Sequence, residues 1–153
     1  MNKNKCPFCT PSINKYAFAE SDNFIAIYNH APILPGHSLI IPKKHYSSFI
    51  EIGEPLRSEM IELSIKAIKM LRKVFHLQAF NWTIQEGIEA GQTIDHLHMH
   101  IIPRNEKDLP NPGDWYPFLE KEFIGKIIDS DWRPKYSDDQ LKIIVEKIKK
   151  ATK

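Results

Sequence analysis

Short apolar or alternating runs separated by polar turns recur along the chain and predict strands. Five such runs are present, at residues 16–19, Phe24–Tyr28, Ser38–Pro42, 80–85 and 96–103. The first two flank the polar turn Glu20-Ser21-Asp22-Asn23, which is typical of a hairpin. Pro42 ends the third run, because proline cannot donate to a ladder of backbone hydrogen bonds.

A different period, with apolar residues three and four positions apart, predicts two helices. The longer covers Glu54–Phe75, with Pro55 in its first turn, where proline is tolerated. Its apolar face is formed by Met60, Leu63, Ala67, Leu71 and Val74. A capping box at Ser137-Asp138-Asp139-Gln140 opens the second helix, whose apolar face is formed by Leu141, Ile144, Val145 and Ile148.

Strands joined by short links, then a helix, then strands indicate an α+β fold. We predict a five-stranded, mostly antiparallel sheet with one long helix and one C-terminal helix. With 153 residues and no internal repeat, the chain is expected to form a single domain, 1–153, with a core at about 6–104 and a C-terminal extension at 105–153. The proline-rich stretch 104–118 lacks periodicity and predicts a long loop, a length that is often functional.

Composition and charge narrow the class of protein. Hydrophobic residues make up 42% and charged residues 26%, as in ordinary globular proteins. The formal net charge is +2, which gives no reason to expect a nucleic-acid or membrane partner. The N-terminus lacks the apolar core of a signal peptide, and the two cysteines form no framework for a secreted domain. We therefore expect a cytoplasmic protein.

Three of the seven histidines, His96, His98 and His100, alternate with aliphatic residues. On a strand this spacing places the three imidazoles on one face and the intervening residues toward the core. The outer two would lie about 13 Å apart at ~3.3 Å per residue, too far for all three to hold one small metal ion. A competing interpretation, half-exposed histidines on an amphipathic strand, is disfavoured by the strict alternation of all three.

A row of imidazoles suits chemistry at phosphorus. A neutral ring nitrogen can attack phosphorus without a separate strong base, because the pKa of imidazole lies near neutrality. Neighbouring donors can hold the phosphate oxygens as charge redistributes. The sequence has no Walker-type glycine loop and no evident acidic pair for magnesium, which argues against a two-metal mechanism of the kinase type.

These residues, with the segments around them, resemble the histidine triad (HIT) superfamily of nucleotide hydrolases and transferases. The matching segments are Asn29-His30-Ala31-Pro32, residues 35–45, residues 85–93 and the triad itself, so that the resemblance covers roughly residues 6–104. The branch it most resembles is the fragile-histidine-triad type, the dinucleoside polyphosphate hydrolases. The resemblance implies a HIT-like fold, an AMP-containing nucleotide as substrate and hydrolysis that releases a nucleoside monophosphate.

The resemblance also implies roles for individual residues. His98 matches the nucleophile that forms a nucleotidyl-histidine intermediate at the α-phosphate. Positions that hold phosphate oxygens, contact ribose or build the base pocket are matched by His100, Gln85, Gln92, Thr93, Asn29, Phe24 and Ile25. His37 matches a supporting histidine beside the active centre, and His96 opens the catalytic row. Asn can donate and accept toward ribose hydroxyls, and Gln and Thr offer neutral donors to an anion.

Cys6 and Cys9 form a C-x-x-C turn that is a weak signal alone. Bacterial HIT proteins and galactose-1-phosphate uridylyltransferases resemble this chain in pairing such cysteines with two histidines, here matched by His45 and His96. The resemblance implies a closed tetrahedral zinc site with a structural role, while a metal-free pair of thiols stays the alternative. Eukaryotic hydrolases of the fragile-histidine-triad branch lack these cysteines.

Two alternative functions stay open on the sequence. A phosphoramidase or a nucleotidylyltransferase (phosphorylase) of the same superfamily shares the first half-reaction. A zinc-stabilised nucleotide-binding protein with little catalysis belongs to another class, and the intact triad argues against it. The resemblance further implies a homodimer, with a contact formed by the long helix and the strand at residues 80–85.

Overall fold

The structure is a computed structural model that describes residues 6–106, 108 and 135–151. Its strands are β1 Ala17–Glu20, β2 Phe24–Tyr28, β3 Ser38–Pro42, β4 Ala79–Ile84 and β5 Met99–Arg104. Its helices are α1 Glu54–Phe75 and α2 Asp138–Lys150, and short 3-10 turns cover Pro7–Cys9, Pro11–Tyr16, Phe49–Glu51 and Ile88–Ala90. Apart from residues 104–106 and 108, the predicted loop at 104–118 lies outside the described residues.

All five strands belong to one antiparallel sheet in the order β1-β2-β3-β5-β4. The predicted α+β fold, with one long helix and one C-terminal helix, is therefore confirmed. β3 is the central strand, and it pairs with β2 from Phe24↔Pro42 to Tyr28↔Ser38. Within the described part of the chain, β1 and β4 are the two edges.

The predicted strand at residues 96–103 is wrong at its start, because β5 begins at Met99. Before it, the Leu97 amide donates to the Tyr46 carbonyl at 2.6 Å, which takes the backbone away from the β3 ladder. The Pro42 carbonyl, at the end of β3, accepts from the His96 ring at 3.0 Å. His96 and His98 thus precede the strand, and only His100 lies on it. The predicted β1 and β4 are each displaced by one residue.

The two faces of the sheet are covered by different parts of the chain. One face packs against α1 and α2 in a large cluster that includes Phe24, Tyr28, Ile40, Met60, Leu71, Met99, Ile101, Leu141, Val145 and Ile148. The opposite face forms a smaller cluster of Cys6, Phe8, Ile25, Ile27, Leu39 and Ile41. The N-terminal segment, residues 6–16, is the element that covers this second face.

The start of α2 follows the capping box that the sequence predicted, and the end of α1 at His76 is a feature that the sequence analysis did not predict. Ser137 caps α2, and its hydroxyl and the Gln140 side chain exchange hydrogen bonds with each other's backbone amides. His76 ends α1 in the left-handed conformation, and its amide donates to the Arg72 carbonyl at 3.0 Å. No helix among the described residues is long and apolar enough to cross a membrane.

We expect Gly36→Ala to destabilise the fold by about 2 kcal/mol or more. Gly36 has a φ of +92°, and a Cβ there would lie 2.9 Å from Pro103 Cγ. Gly91→Ala is the matched control, because Gly91 has a φ of +87° and a Cβ there would meet nothing within 4 Å. Urea unfolding of both variants separates the steric cost from the backbone strain. An equal loss of unfolding free energy in the two variants would show that the contact with Pro103 does not destabilise Gly36→Ala.

Candidate active site and cysteine–histidine cluster

The N-terminal C-x-x-C turn meets two histidines beside the triad. Cys6 Sγ lies 3.4 Å from His96 Nδ1, and Cys9 Sγ lies 3.3 Å from His45 Nδ1 and 3.5 Å from His96 Nδ1. One ligand atom from each of the four residues lies within 4.8 Å of the others. In a tetrahedral zinc site with bonds of about 2.0–2.3 Å, ligand atoms are roughly 3.3–3.8 Å apart. The donor set and its spacing therefore fit zinc.

The His96 ring is held in the form that binds a metal. Its Nε2–H donates to the Pro42 carbonyl at 3.0 Å, so the lone pair of Nδ1 is directed to the two thiols. Burial lowers the pKa of His96 to about 4, although the Pro42 carbonyl opposes that shift. A neutral imidazole is the form that ligates a metal.

His98 is buried and its ring has a defined tautomer. Nδ1 lies 2.7 Å from the His96 carbonyl oxygen and must donate to it, which leaves Nε2 with a free lone pair. Burial lowers the pKa of His98, against the effect of that hydrogen bond. Phe8 packs edge-on against this ring at 5.4 Å and against the His96 ring at 5.7 Å. His98 therefore presents a neutral, oriented nucleophile.

A chain of hydrogen bonds fixes the proton of His100. The Ile33 amide donates to His37 Nδ1 at 3.1 Å, so the His37 proton lies on Nε2. His37 Nε2 then donates to His100 Nδ1 at 2.9 Å. His100 in turn carries its proton on Nε2, as a donor that an anion can accept. Asn29 Nδ2 lies 3.4 Å from His37 Nε2, and Asn29 Oδ1 accepts from the Ala31 amide at 3.0 Å.

His98 and His100 line a cavity of about 500 Å³. One wall is apolar and one carries polar side chains. The apolar wall includes Phe8, Ile13, Ile27, Leu39 and Ile102. The polar lining includes Asn29, Gln85, Thr93, His98 and His100. An apolar pocket with a few convergent polar groups is the usual form of a site for a small molecule.

Some predicted site residues lie away from this cavity. Phe24 is buried in the large cluster under the helices, and Ile25 lies in the smaller cluster without lining the cavity. Neither Phe24 nor Ile25 lines this cavity, and the residues of β2 that do are Ile27 and Tyr28. Gln92 lies beside the cavity, with its amide side chain bonded to the Gly87 amide and the Ser47 carbonyl. His96 lies in the cysteine–histidine cluster.

Other residues of the cavity were not identified from the sequence. Phe8 lies between the two cysteines, and only the 3-10 turn Pro7–Cys9 directs it to the triad. The cavity is also lined by Tyr16, His30, Tyr136 and Asp138. Of the cavity residues that were not identified, Ile27 could have been predicted from the sequence. It lies two positions after Ile25 on β2, so the two side chains share a face of the sheet that Phe24 does not.

Comparisons with known proteins agree with this geometry. A family model described as HIT domain matches residues 10–107. The bis(5'-nucleosyl)-tetraphosphatase of Schizosaccharomyces pombe is 38% identical over 96 residues, which cover 63% of this chain and 53% of that protein, about half its length. The bis(5'-adenosyl)-triphosphatase of Dictyostelium discoideum is 33% identical over 108 residues, covering 69% of this chain and 70% of that protein. A solved structure, a hypothetical histidine triad nucleotide-binding protein from Sulfolobus tokodaii, has a TM-score of 0.73 at 26% identity, covering 95% of this chain and 91% of the other.

Proposed function

Since this chain belongs to the HIT domain family, we propose that it is a nucleotide hydrolase. Its substrates are dinucleoside polyphosphates or related nucleotidyl compounds, cleaved at the α-phosphate to release a nucleoside monophosphate. The observation that carries this proposal is the His98 ring, whose Nδ1 is bonded to the His96 carbonyl and whose Nε2 lone pair is free. Two relatives named as hydrolases of dinucleoside polyphosphates support the same substrate class.

In the first proposed step, His98 Nε2 attacks the α-phosphorus and the bond from phosphorus to the bridging oxygen breaks. The leaving group departs with the electron pair of that bond, and a nucleotidyl-histidine remains. His100 donates a hydrogen bond from Nε2–H to a phosphate oxygen and keeps its proton, and Gln85 and Thr93 add neutral hydrogen-bond donors. In the second step, the oxygen of a water molecule bonds to the same phosphorus and the bond from phosphorus to His98 Nε2 breaks. Its electron pair returns to Nε2 and a proton of the water goes to solvent, so that the nucleoside monophosphate and the free imidazole are released.

The remaining walls of the cavity suit the nucleoside. Phe8, Ile13 and Ile27 offer an apolar surface for a base. Asn29 also lines the cavity, and an amide can both donate to and accept from ribose hydroxyls. This arrangement supports an AMP-containing substrate, with the phosphates toward His98.

A substrate panel with intact-mass detection tests the proposal. We expect hydrolysis of dinucleoside polyphosphates to a nucleoside monophosphate and a transient mass gain of one nucleotidyl group. Release of a nucleoside diphosphate in the presence of competing phosphate would favour a phosphorylase or transferase instead. Tight AMP binding without turnover of any adenylylated substrate would favour a nucleotide-binding protein.

We also propose that Cys6, Cys9, His45 and His96 hold a structural zinc ion. The two thiolates and two neutral imidazoles would complete a tetrahedral set with no open position for a reacting group. When bound, the zinc supplies a cross-link between the N-terminal turn and the segment that leads into the triad. The carbonyl of the ligand His96 is also the acceptor that orients His98.

A homodimer is a further part of the proposal. β4 is an edge of the sheet, and Trp82 on it is 42% exposed. We expect sedimentation as a dimer at micromolar concentration and a shift to monomer in Trp82→Lys, because a charge replaces an apolar contact across the two-fold axis. Ile143→Lys on α2, which also replaces an exposed apolar residue, is the control. A monomeric native protein would contradict the dimer.

We expect His37→Phe to lower kcat about 10²-fold with little change in the affinity for AMP. Phe keeps an aromatic ring of similar size, yet it cannot donate to His100 Nδ1. The His100 ring then loses the bond that keeps its proton on Nε2. Steady-state kinetics and AMP titration check the two parts. An unchanged kcat would show that the tautomer of His100 does not depend on His37.

A further inference from the structure

We propose that Asp138, at the start of the C-terminal helix α2, is a positioning residue that holds one wall of the nucleotide cavity. It does so by fixing the strap, the segment Pro11–Tyr16 together with Thr10, against the rest of the domain. The inference rests on the proposed function, because it assigns that cavity to a nucleotide. Asp138 lies outside residues 10–107, which the family model matches.

Asp138 bonds two consecutive residues of the strap through both carboxylate oxygens. Lys15 Nζ donates to Asp138 Oδ2 at 2.5 Å, and Tyr16 Oη donates to Asp138 Oδ1 at 2.6 Å. Lys15 Nζ also lies 4.8 Å from the centre of the Tyr16 ring. The bonds from Lys15 and Tyr16 hold the pKa of Asp138 below its usual range, so that it is a carboxylate at neutral pH.

The strap itself forms part of the cavity. Thr10, Ser12, Ile13 and Tyr16 all line it. Thr10 Oγ1 donates to the Pro7 carbonyl at 2.8 Å and lies 2.9 Å from Ser12 Oγ, bonds that stay within the N-terminal segment. Ile13 packs on the smaller cluster, and Tyr16 packs on both the smaller and the large cluster. The described long-range polar bonds of residues 10–16 are those from Lys15 and Tyr16 to Asp138.

The helix that carries Asp138 is anchored independently of the strap. Leu141, Val145 and Ile148 are buried in the large cluster against α1 and the sheet. The Tyr136 amide donates to the His30 carbonyl at 2.8 Å, which joins the start of α2 to the end of β2. Asp138 is therefore a fixed point, and the strap is the part that moves if the bonds are removed.

Loss of these bonds should affect substrate binding and not the chemistry. His98 is oriented by the His96 carbonyl and His100 by His37, and none of these groups contacts the strap through a described hydrogen bond. We expect Asp138→Ala to raise KM and the Kd for AMP on the order of three- to tenfold, with kcat changed less than twofold.

Asp139→Ala is the matched control. Asp139 lies in the same first turn of α2 and carries the same charge, but its described partner is Lys142 at 3.5 Å. Both variants lose one favourable charge at the helix N-terminus, so a shared effect comes from the helix alone. Tyr16→Phe removes only the hydroxyl that donates to Asp138. We expect the double variant Tyr16→Phe/Asp138→Ala to have the same KM and the same Kd for AMP as Asp138→Ala, because both changes remove the same bond.

The measurements are AMP titration calorimetry, steady-state kinetics and hydrogen exchange of residues 10–17. We expect faster exchange of these amides in Asp138→Ala than in Asp139→Ala, together with the KM effect. Equal KM and Kd values in the two variants, or a fall in kcat with KM unchanged, would overturn the positioning role. A wild-type protein that neither binds AMP nor cleaves nucleotides would instead contradict the proposed function, while the exchange comparison still reports on the strap.

Discussion

His98→Asn is expected to lower kcat by about 10⁴-fold or more while the affinity for AMP changes by no more than a few-fold. Asn has no nitrogen lone pair that can attack phosphorus, so the covalent step is lost. Its amide can still donate to the carbonyl of His96, as Nδ1 does in the native protein at 2.7 Å. The variant should therefore keep the local backbone and the cavity that receives the nucleotide.

Two measurements separate this result from simple unfolding. AMP titration and circular dichroism should match the native protein, and intact mass should show the nucleotidyl adduct in the native protein only. His76→Asn is the control, because His76 is exposed and ends α1 in the left-handed conformation, which Asn adopts readily. Native-like turnover in His98→Asn would exclude His98 as the nucleophile and with it the proposed mechanism.

The sequence predicted most accurately the strands and helices whose ends are set by residues next to them in the chain. β2, β3 and α1 have the predicted bounds, since each is a compact apolar run or period with a turn, a proline or a cap beside it. The start of β5 was wrong because alternation of histidines continued the strand pattern through residues 96–98. The ladder ends there because His96 and Leu97 donate hydrogen bonds to the carbonyl oxygens of Pro42 and Tyr46. These acceptors are more than fifty positions away in the chain, so the local sequence pattern could not predict them.

The same distinction holds for the candidate site. Asn29, Gln85, Thr93, His98 and His100 were predicted because the histidine row and its neighbours resemble a known superfamily, and the structure brings these five residues to one cavity. The base pocket was predicted at Phe24 and Ile25. Phe24 faces the helices because its side chain has the opposite parity to Ile27. Ile25 lies on the same face of the sheet as Ile27 but two positions along the strand, outside the residues that line the cavity. Asp138 and Tyr16 are 122 positions apart in the chain. The capping box that contains Asp138 predicts only where α2 begins, so the contact with Tyr16 depends on the packing of α2.

Cys6→Ser is expected to remove stoichiometric zinc and to lower the unfolding temperature by roughly 5–15 °C, from a loss of about 3–5 kcal/mol. Cys6 is buried, and its Sγ lies 3.4 Å from His96 Nδ1. Serine is a poor zinc ligand at neutral pH, because its hydroxyl keeps its proton. The three remaining ligands leave the N-terminal turn without its cross-link to the segment before the triad.

The fold as a whole should survive this loss, since the large cluster between the helices and the sheet contains none of the four ligands. Far-ultraviolet circular dichroism of the variant should therefore stay native-like at 20 °C, while hydrogen exchange rises in residues 6–16. A chelator should lower the unfolding temperature of the native protein and leave that of Cys6→Ser unchanged, because the variant has no zinc to lose. Elemental analysis that finds no stoichiometric metal in chelator-free native protein would leave a metal-free pair of thiols as the correct interpretation of the C-x-x-C turn.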